Sequence, residues 1–122
     1  MAENITVDPK DAEDNKVMAI LAYLGFPLVL VPIFAAKESP FARFHSNQGI
    51  LLCLAAIAYY LAVFLIVFLL ALISPTFAGI IAIVLYLGMF IFPVLVIIGI
   101  INAVKGVAKE LPVIGKLFTI IK

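Results

Sequence analysis

The side chains of this sequence that could do chemistry are few, and most of them fall in two short stretches. The first, Arg43-Phe44-His45-Ser46-Asn47-Gln48-Gly49, carries the single histidine of the chain; the second runs Asn102-Ala103-Val104-Lys105-Gly106. His45 and Gln48 are three residues apart, so on a helix they share a face. A lone histidine can serve as a base or a pH switch only with a partner group, and none is supplied nearby. There is no Ser/His/Asp set, no pair of carboxylates within the apolar stretches and no glycine loop that would cradle phosphate. One histidine and one cysteine, Cys53, cannot furnish the three or four protein ligands of a zinc site, and a single cysteine excludes an internal disulfide framework. The expectation is therefore no metal, no cofactor and no enzyme. Arg43, His45, Asn47, Gln48, Asn102 and Lys105 form the candidate polar cluster, expected to cap, anchor and hydrogen-bond helix ends before it serves as a ligand or transport site.

The elements that must position these residues are set by what lies between them. From Phe44 to Val104 there is no Asp, Glu, Lys or Arg. The chain is 66% hydrophobic and 12% charged, whereas ordinary soluble domains carry about 25% charged residues. A water-soluble core needs a polar shell, which this composition does not provide. A bilayer core about 30 Å thick is crossed by about 20 apolar helical residues, and a helix satisfies its backbone groups within one segment. The expected fold is an all-α integral membrane protein of one domain, with the lipid bilayer as its first partner. The acidic, polar start of the chain is unlike a cleavable signal peptide.

Taken in order, residues 1–16 hold five carboxylates against two lysines and are expected as a solvated tail, with Asp8-Pro9 able to open a short helix. Residues 17–36 are uncharged and long enough to span, but contain Gly25, Pro27 and Pro32. They are expected as a first crossing kinked by proline, with a re-entrant segment as the alternative. Ala19, Ala22 and Gly25 fall at helical spacing and would make a small face for close helix contact. The connector 37–48, KESPFARFHSNQ, contains Ser39-Pro40, a strong helix start. The second crossing is 49–73, with a small stripe at Ala55, Ala58 and Ala62. Tyr59 and Tyr60 fall in mid-span, where a hydroxyl needs a protein partner; Tyr86 is the expected one. Ser74-Pro75 repeats the capping device and opens the third crossing, 77–104, with Pro93 as its kink and Gly99 and Ala103 as a small pair. Lys105-Gly106 ends that helix. In residues 107–122, Val113, Ile114, Leu117, Phe118 and Ile121 recur on one helical face, which predicts an amphipathic helix lying in the membrane interface.

Lysine and arginine counts set the orientation. With three crossings, two basic residues fall on the side of the tail and six on the other, which puts the amino terminus outside and the carboxy terminus in the cytoplasm. With a re-entrant first segment all eight become cytoplasmic.

The stretches AILAYLG, PLVLVPIFAAKESPFARFHSNQG and IIGIINAVKGVAKELPVIGKLF carry a resemblance. Over residues 17–118 the chain resembles a broad family of small prokaryotic membrane proteins of unknown function that includes some magnetosome membrane proteins. The inner-envelope import component of the chloroplast Tic complex is a distant relative. The most specific parts are RFHSNQG and NAVKG…LP. The resemblance implies a three-span module with RFHSNQG on the cytoplasmic side and no known activity. Without a basic patch interleaved with aromatics, nucleic acid is not an expected partner. A non-enzymatic scaffold or assembly module is expected, packing with itself as a homo-oligomer or with other membrane proteins. The alternative is a subunit of a protein-translocation or small-solute permeation pathway.

Overall fold

A computed structural model describes residues 6–117, and all the regular structure among them is helical. The helices are α1 (Pro9–Asp14), α2 (Lys16–Leu21), α3 (Leu30–Ala35), α4 (Pro40–Ile73), α5 (Pro75–Gly88) and α6 (Ile91–Val104).

Local signals start and break the long helices where the sequence says they should. The Ser39 hydroxyl accepts the Ala42 N–H at 3.0 Å with Pro40 in the first turn, and α4 follows. Ser74 ends α4 and opens α5, its hydroxyl accepting the Phe77 N–H at 3.3 Å beside Pro75. The third apolar stretch is broken into α5 and α6 at residues 89–90, one turn before Pro93. Proline brings no N–H to the Met89 carbonyl, which takes the Phe92 N–H at 3.2 Å instead. The Met89 N–H turns to Tyr86 O at 3.1 Å, and the Tyr59 hydroxyl donates to the freed Leu85 carbonyl at 2.7 Å. Tyr59 also meets Phe92 edge to face, with ring centroids 5.7 Å apart. Its partner is thus main chain exposed by the kink, and not the expected Tyr86, whose side chain is exposed.

Two stretches among the described residues, Pro40–Ile73 and Pro75–Val104, are long and apolar enough to cross a membrane. They pack along each other, and most of their apolar side chains, Phe64, Leu72, Ile83 and Phe90 among them, face outwards. Of the expected small stripe on α4, Ala55 packs on the core while Ala58 and Ala62 are exposed.

The expectation of three crossings fails at residues 17–36. α2 and α3 have six residues each, about 9 Å of helix. Between them the chain turns through Gly25, at φ 90°, and a cis Phe26–Pro27 bond. Gly25 stands where L side chains are strained, and its carbonyl accepts the Val29 N–H at 2.9 Å, so the turn satisfies part of its own backbone. α2 packs on α4 and α6, and α3 comes back along α2 and α4. The Phe26 backbone lies near the Cys53 thiol, about 20 Å along α4 from its start. The segment folds back on itself, and neither of its helices is long enough to cross a membrane. Ala19 and Ala22 do form a buried small face, so close to α4 that a Cβ on Gly49 would strike the Ala22 carbonyl; Gly25 belongs to the turn.

Residues 6–16 are not a free tail. The Asp8 carboxylate accepts the Lys10 N–H at 3.0 Å and opens α1 at Pro9, as its sequence allows. Asp11 then accepts from the Ser39 hydroxyl at 2.6 Å and from the Phe41 N–H at 3.1 Å. A carboxylate at the unpaired N–H groups of a helix start is favoured by hydrogen bonding and by the helix dipole. Ala12 is buried, and a Cβ on Gly106 would lie 3.3 Å from it. The tail, the connector and the segment after α6 therefore share one end of the molecule, whereas three crossings would set tail and connector at opposite ends.

The amphipathic helix is also corrected. Residues 107–117 form turns and bends without helix, and Ile114 is 9% exposed between Val113 at 82% and Leu117 at 58% as the chain turns. Pro112 removes a backbone donor, and side chains of α4 take up the main chain that a helix would have paired internally. Phe118 and Ile121 lie outside the described residues.

Candidate functional site: a buried polar clamp

His45 lies near the start of α4 with 0% exposure. Its Nε2 meets the Val107 carbonyl at 2.9 Å and its Nδ1 the Tyr23 hydroxyl at 2.5 Å. A carbonyl only accepts, so Nε2 carries the proton; in the neutral ring Nδ1 then accepts from the tyrosine. Phe41, Phe44 and Tyr23 all present themselves to the imidazole edge to face, Phe41 closest with centroids 4.7 Å apart. Phe41 arrives there because it precedes His45 by four residues on the same helix. Tyr23 arrives from just beyond α2, its ring in space that Gly99 of α6 leaves open, where any Cβ would collide with it.

Gln48, one helical turn further on and also at 0% exposure, uses both ends of its amide. Its Oε1 accepts the Leu111 N–H at 2.8 Å and its Nε2 donates to the Gly115 carbonyl at 3.1 Å. Between these two anchors the Ile114 N–H reaches the Pro112 carbonyl at 2.8 Å, a tight three-residue turn with Val113 at φ 71°. A β-branched residue there is strained, and the Gln48 amide holds the turn from both sides. A Cβ on Gly115 would press on both the Leu111 backbone and Gln48 Oε1.

The remaining expected residues divide. Asn102 is buried; its carbonyl accepts the Val107 N–H at 3.1 Å and its amide reaches the Lys109 carbonyl at 3.5 Å, the outer limit for such a bond. His45, Gln48 and Asn102 are thus drawn together, but through the segment 107–115 that stands between them, and not by the direct His45/Gln48 to Asn102 contact that the antiparallel helices suggest. Asn47 is buried within the same turn of α4. Arg43 and Lys105 lie elsewhere. Arg43 is half-buried beside a cavity with Lys37, and exposed Lys105 borders another with Glu13 and Lys16. With both ring nitrogens engaged and no exposed face, His45 presents no lone pair to a ligand.

Two participants escaped the sequence reading. Tyr23 had a signal, since a hydroxyl in an apolar stretch needs a partner. Asp11 had none, being one of several carboxylates in an acidic run.

The architecture is that of a small all-helical protein with two apolar helices of membrane length and a folded polar end built around His45 and Gln48. The chain belongs to the magnetosome magnetite crystal formation protein family, whose model matches residues 14–118. Family and helices together point to a membrane location. Neither curated proteins nor solved structures yielded a match. The matched range contains both halves of the clamp, RFHSNQG on α4 and the NAVKG…LP stretch whose main chain it holds.

Proposed function

We propose that the chain is a non-enzymatic membrane scaffold that contributes to magnetite crystal formation by packing with itself or with partner membrane proteins. It crosses the bilayer as one helical hairpin, α4 out and α5–α6 back, with the 17–36 segment re-entering from the cytoplasmic side. The supporting observation is the inverted distribution of side chains. His45 and Gln48 are fully buried and engaged on the protein's own backbone, while the apolar residues of the long helices face outwards. Lipid covers such a surface without a polar shell. The basic residues from Lys10 to Lys116 all fall before Phe44 or after Val104, and the preference of lysine and arginine for the cytoplasm supports both ends of the described chain lying there. The family description brings crystal formation.

Single cysteines in a Cys53→Ala background test the arrangement. Lys10→Cys and Lys109→Cys should both be labelled from the cytoplasmic side, and Thr76→Cys from the other. Labelling of the first two from opposite sides would restore three crossings. Solute flux through vesicles carrying the protein would move the role to the permeation alternative.

A further inference from the structure

The cavity beside α3 and the start of α4 has features of a ligand site that the clamp does not use. It holds about 290 Å³ and is lined by Ile33, Phe34, Lys37, Arg43 and Ser46. Two of these carry positive charge, and the guanidinium of half-buried Arg43 makes no hydrogen bond or ion pair among the described residues, its backbone N–H alone going to the Ser39 carbonyl at 2.9 Å. The Ser46 hydroxyl is already committed to the Ala42 carbonyl at 2.8 Å. The Lys37 ammonium stands 5.9 Å from the centre of the Phe34 ring, which also lines the cavity. Of the nearby carboxylates, Asp11 is engaged by Ser39 and Phe41. Glu38 borders the adjoining cavity, which shares Lys37 and Phe34. The site therefore pairs two cations with an apolar wall, directly before the uncharged run that begins at Phe44.

We propose that this cavity binds an anionic phospholipid, with its phosphate between Lys37 and Arg43 and an acyl chain along Ile33 and Phe34. The inference rests on the membrane reading above. Arginine matches phosphate through a planar fork of donors and lysine adds a point charge. A free phosphate ion would use the cations but gain nothing from the exposed Phe34 ring. Lipid chemistry uses both halves of the site.

The test is native mass spectrometry of the full chain, purified in mild detergent and offered phosphatidylglycerol together with phosphatidylcholine. One phosphatidylglycerol should be retained in preference. The Lys37→Gln/Arg43→Gln double variant should bind it roughly twenty-five-fold more weakly, because each cation near an anionic headgroup is worth about a factor of five. The single variant Phe34→Ser, at an exposed position, should also weaken retention without changing charge. Equal retention of the two lipids, or equal binding by wild type and both variants, would overturn the site. Displacement of the lipid by millimolar inorganic phosphate would overturn it in favour of a soluble anion. Flotation of the double variant with pure phosphatidylcholine vesicles separates the two readings: failure to float would sink the membrane proposal, whereas flotation with unchanged lipid preference sinks the lipid site alone.

Discussion

Replacing Gln48 by leucine tests whether the clamp holds the segment after α6. The volume is similar, but two buried main-chain groups, the Leu111 N–H and the Gly115 carbonyl, lose their partners at 2.8 and 3.1 Å. Each unsatisfied buried group costs about 1–3 kcal/mol. Residues 107–117 form no helix of their own to absorb these groups, so water must reach them by local opening. The lower bound of about 2 kcal/mol for the pair corresponds to about a thirtyfold larger open population, at 1.4 kcal/mol per factor of ten. Lys109 and Lys116 flank the anchors and are exposed, so trypsin reads that population directly when opening is fast relative to cleavage. In Gln48→Leu, cleavage after these lysines should accelerate about thirtyfold or more, with hydrogen exchange at the Leu111 amide rising in parallel. The helical content of the hairpin should be unchanged. Cleavage and exchange at wild-type rates would show that the amide bonds do not hold the segment, and the reasoning would fail.

Two further outcomes follow from close approaches and caps. Gly49→Ala drives a Cβ into the Ala22 carbonyl, a backbone atom that cannot swing aside, and should cost about 1–3 kcal/mol in detergent unfolding. Gly79→Ala, with open space around it, should cost nothing, and equal losses at the two sites would contradict the packing of α2 on α4. Asp11→Ala removes the carboxylate from the Ser39 hydroxyl and Phe41 N–H and should destabilise by about 0.5–2 kcal/mol, as lost helix caps do. An unaltered melting temperature would mean that α1 does not bind the start of α4.

What could be read along the chain is what depends on neighbours in the chain. Ser39-Pro40 and Ser74-Pro75 place two helix starts because a hydroxyl and a proline act within one turn. Pro93 places the break between α5 and α6, since the missing donor and the orphaned carbonyl are four residues apart. Membrane-length helices follow from the run of residues without charge. The same evidence marked residues 17–36 as apolar, but length and hydropathy do not distinguish a crossing from an entry and return. That the chain folds back here was decided by the turn at Gly25 and by the seating of Ala22 against Gly49 and of Tyr23 against Gly99. His45 and Gln48 were legible as polar residues sharing a face at the head of a long apolar helix. Their partners were not, because Val107, Leu111 and Gly115 contribute main-chain atoms, 62 to 67 residues away, and a backbone carbonyl or N–H has no signature in side-chain type. The periodicity of residues 113–121 suggested a helix for the same reason: it counts apolar side chains and is blind to the glutamine amide that takes the backbone for itself. Local chemistry therefore determined where helices begin, bend and end, and only the tertiary structure decided which main chain the buried histidine and glutamine would hold.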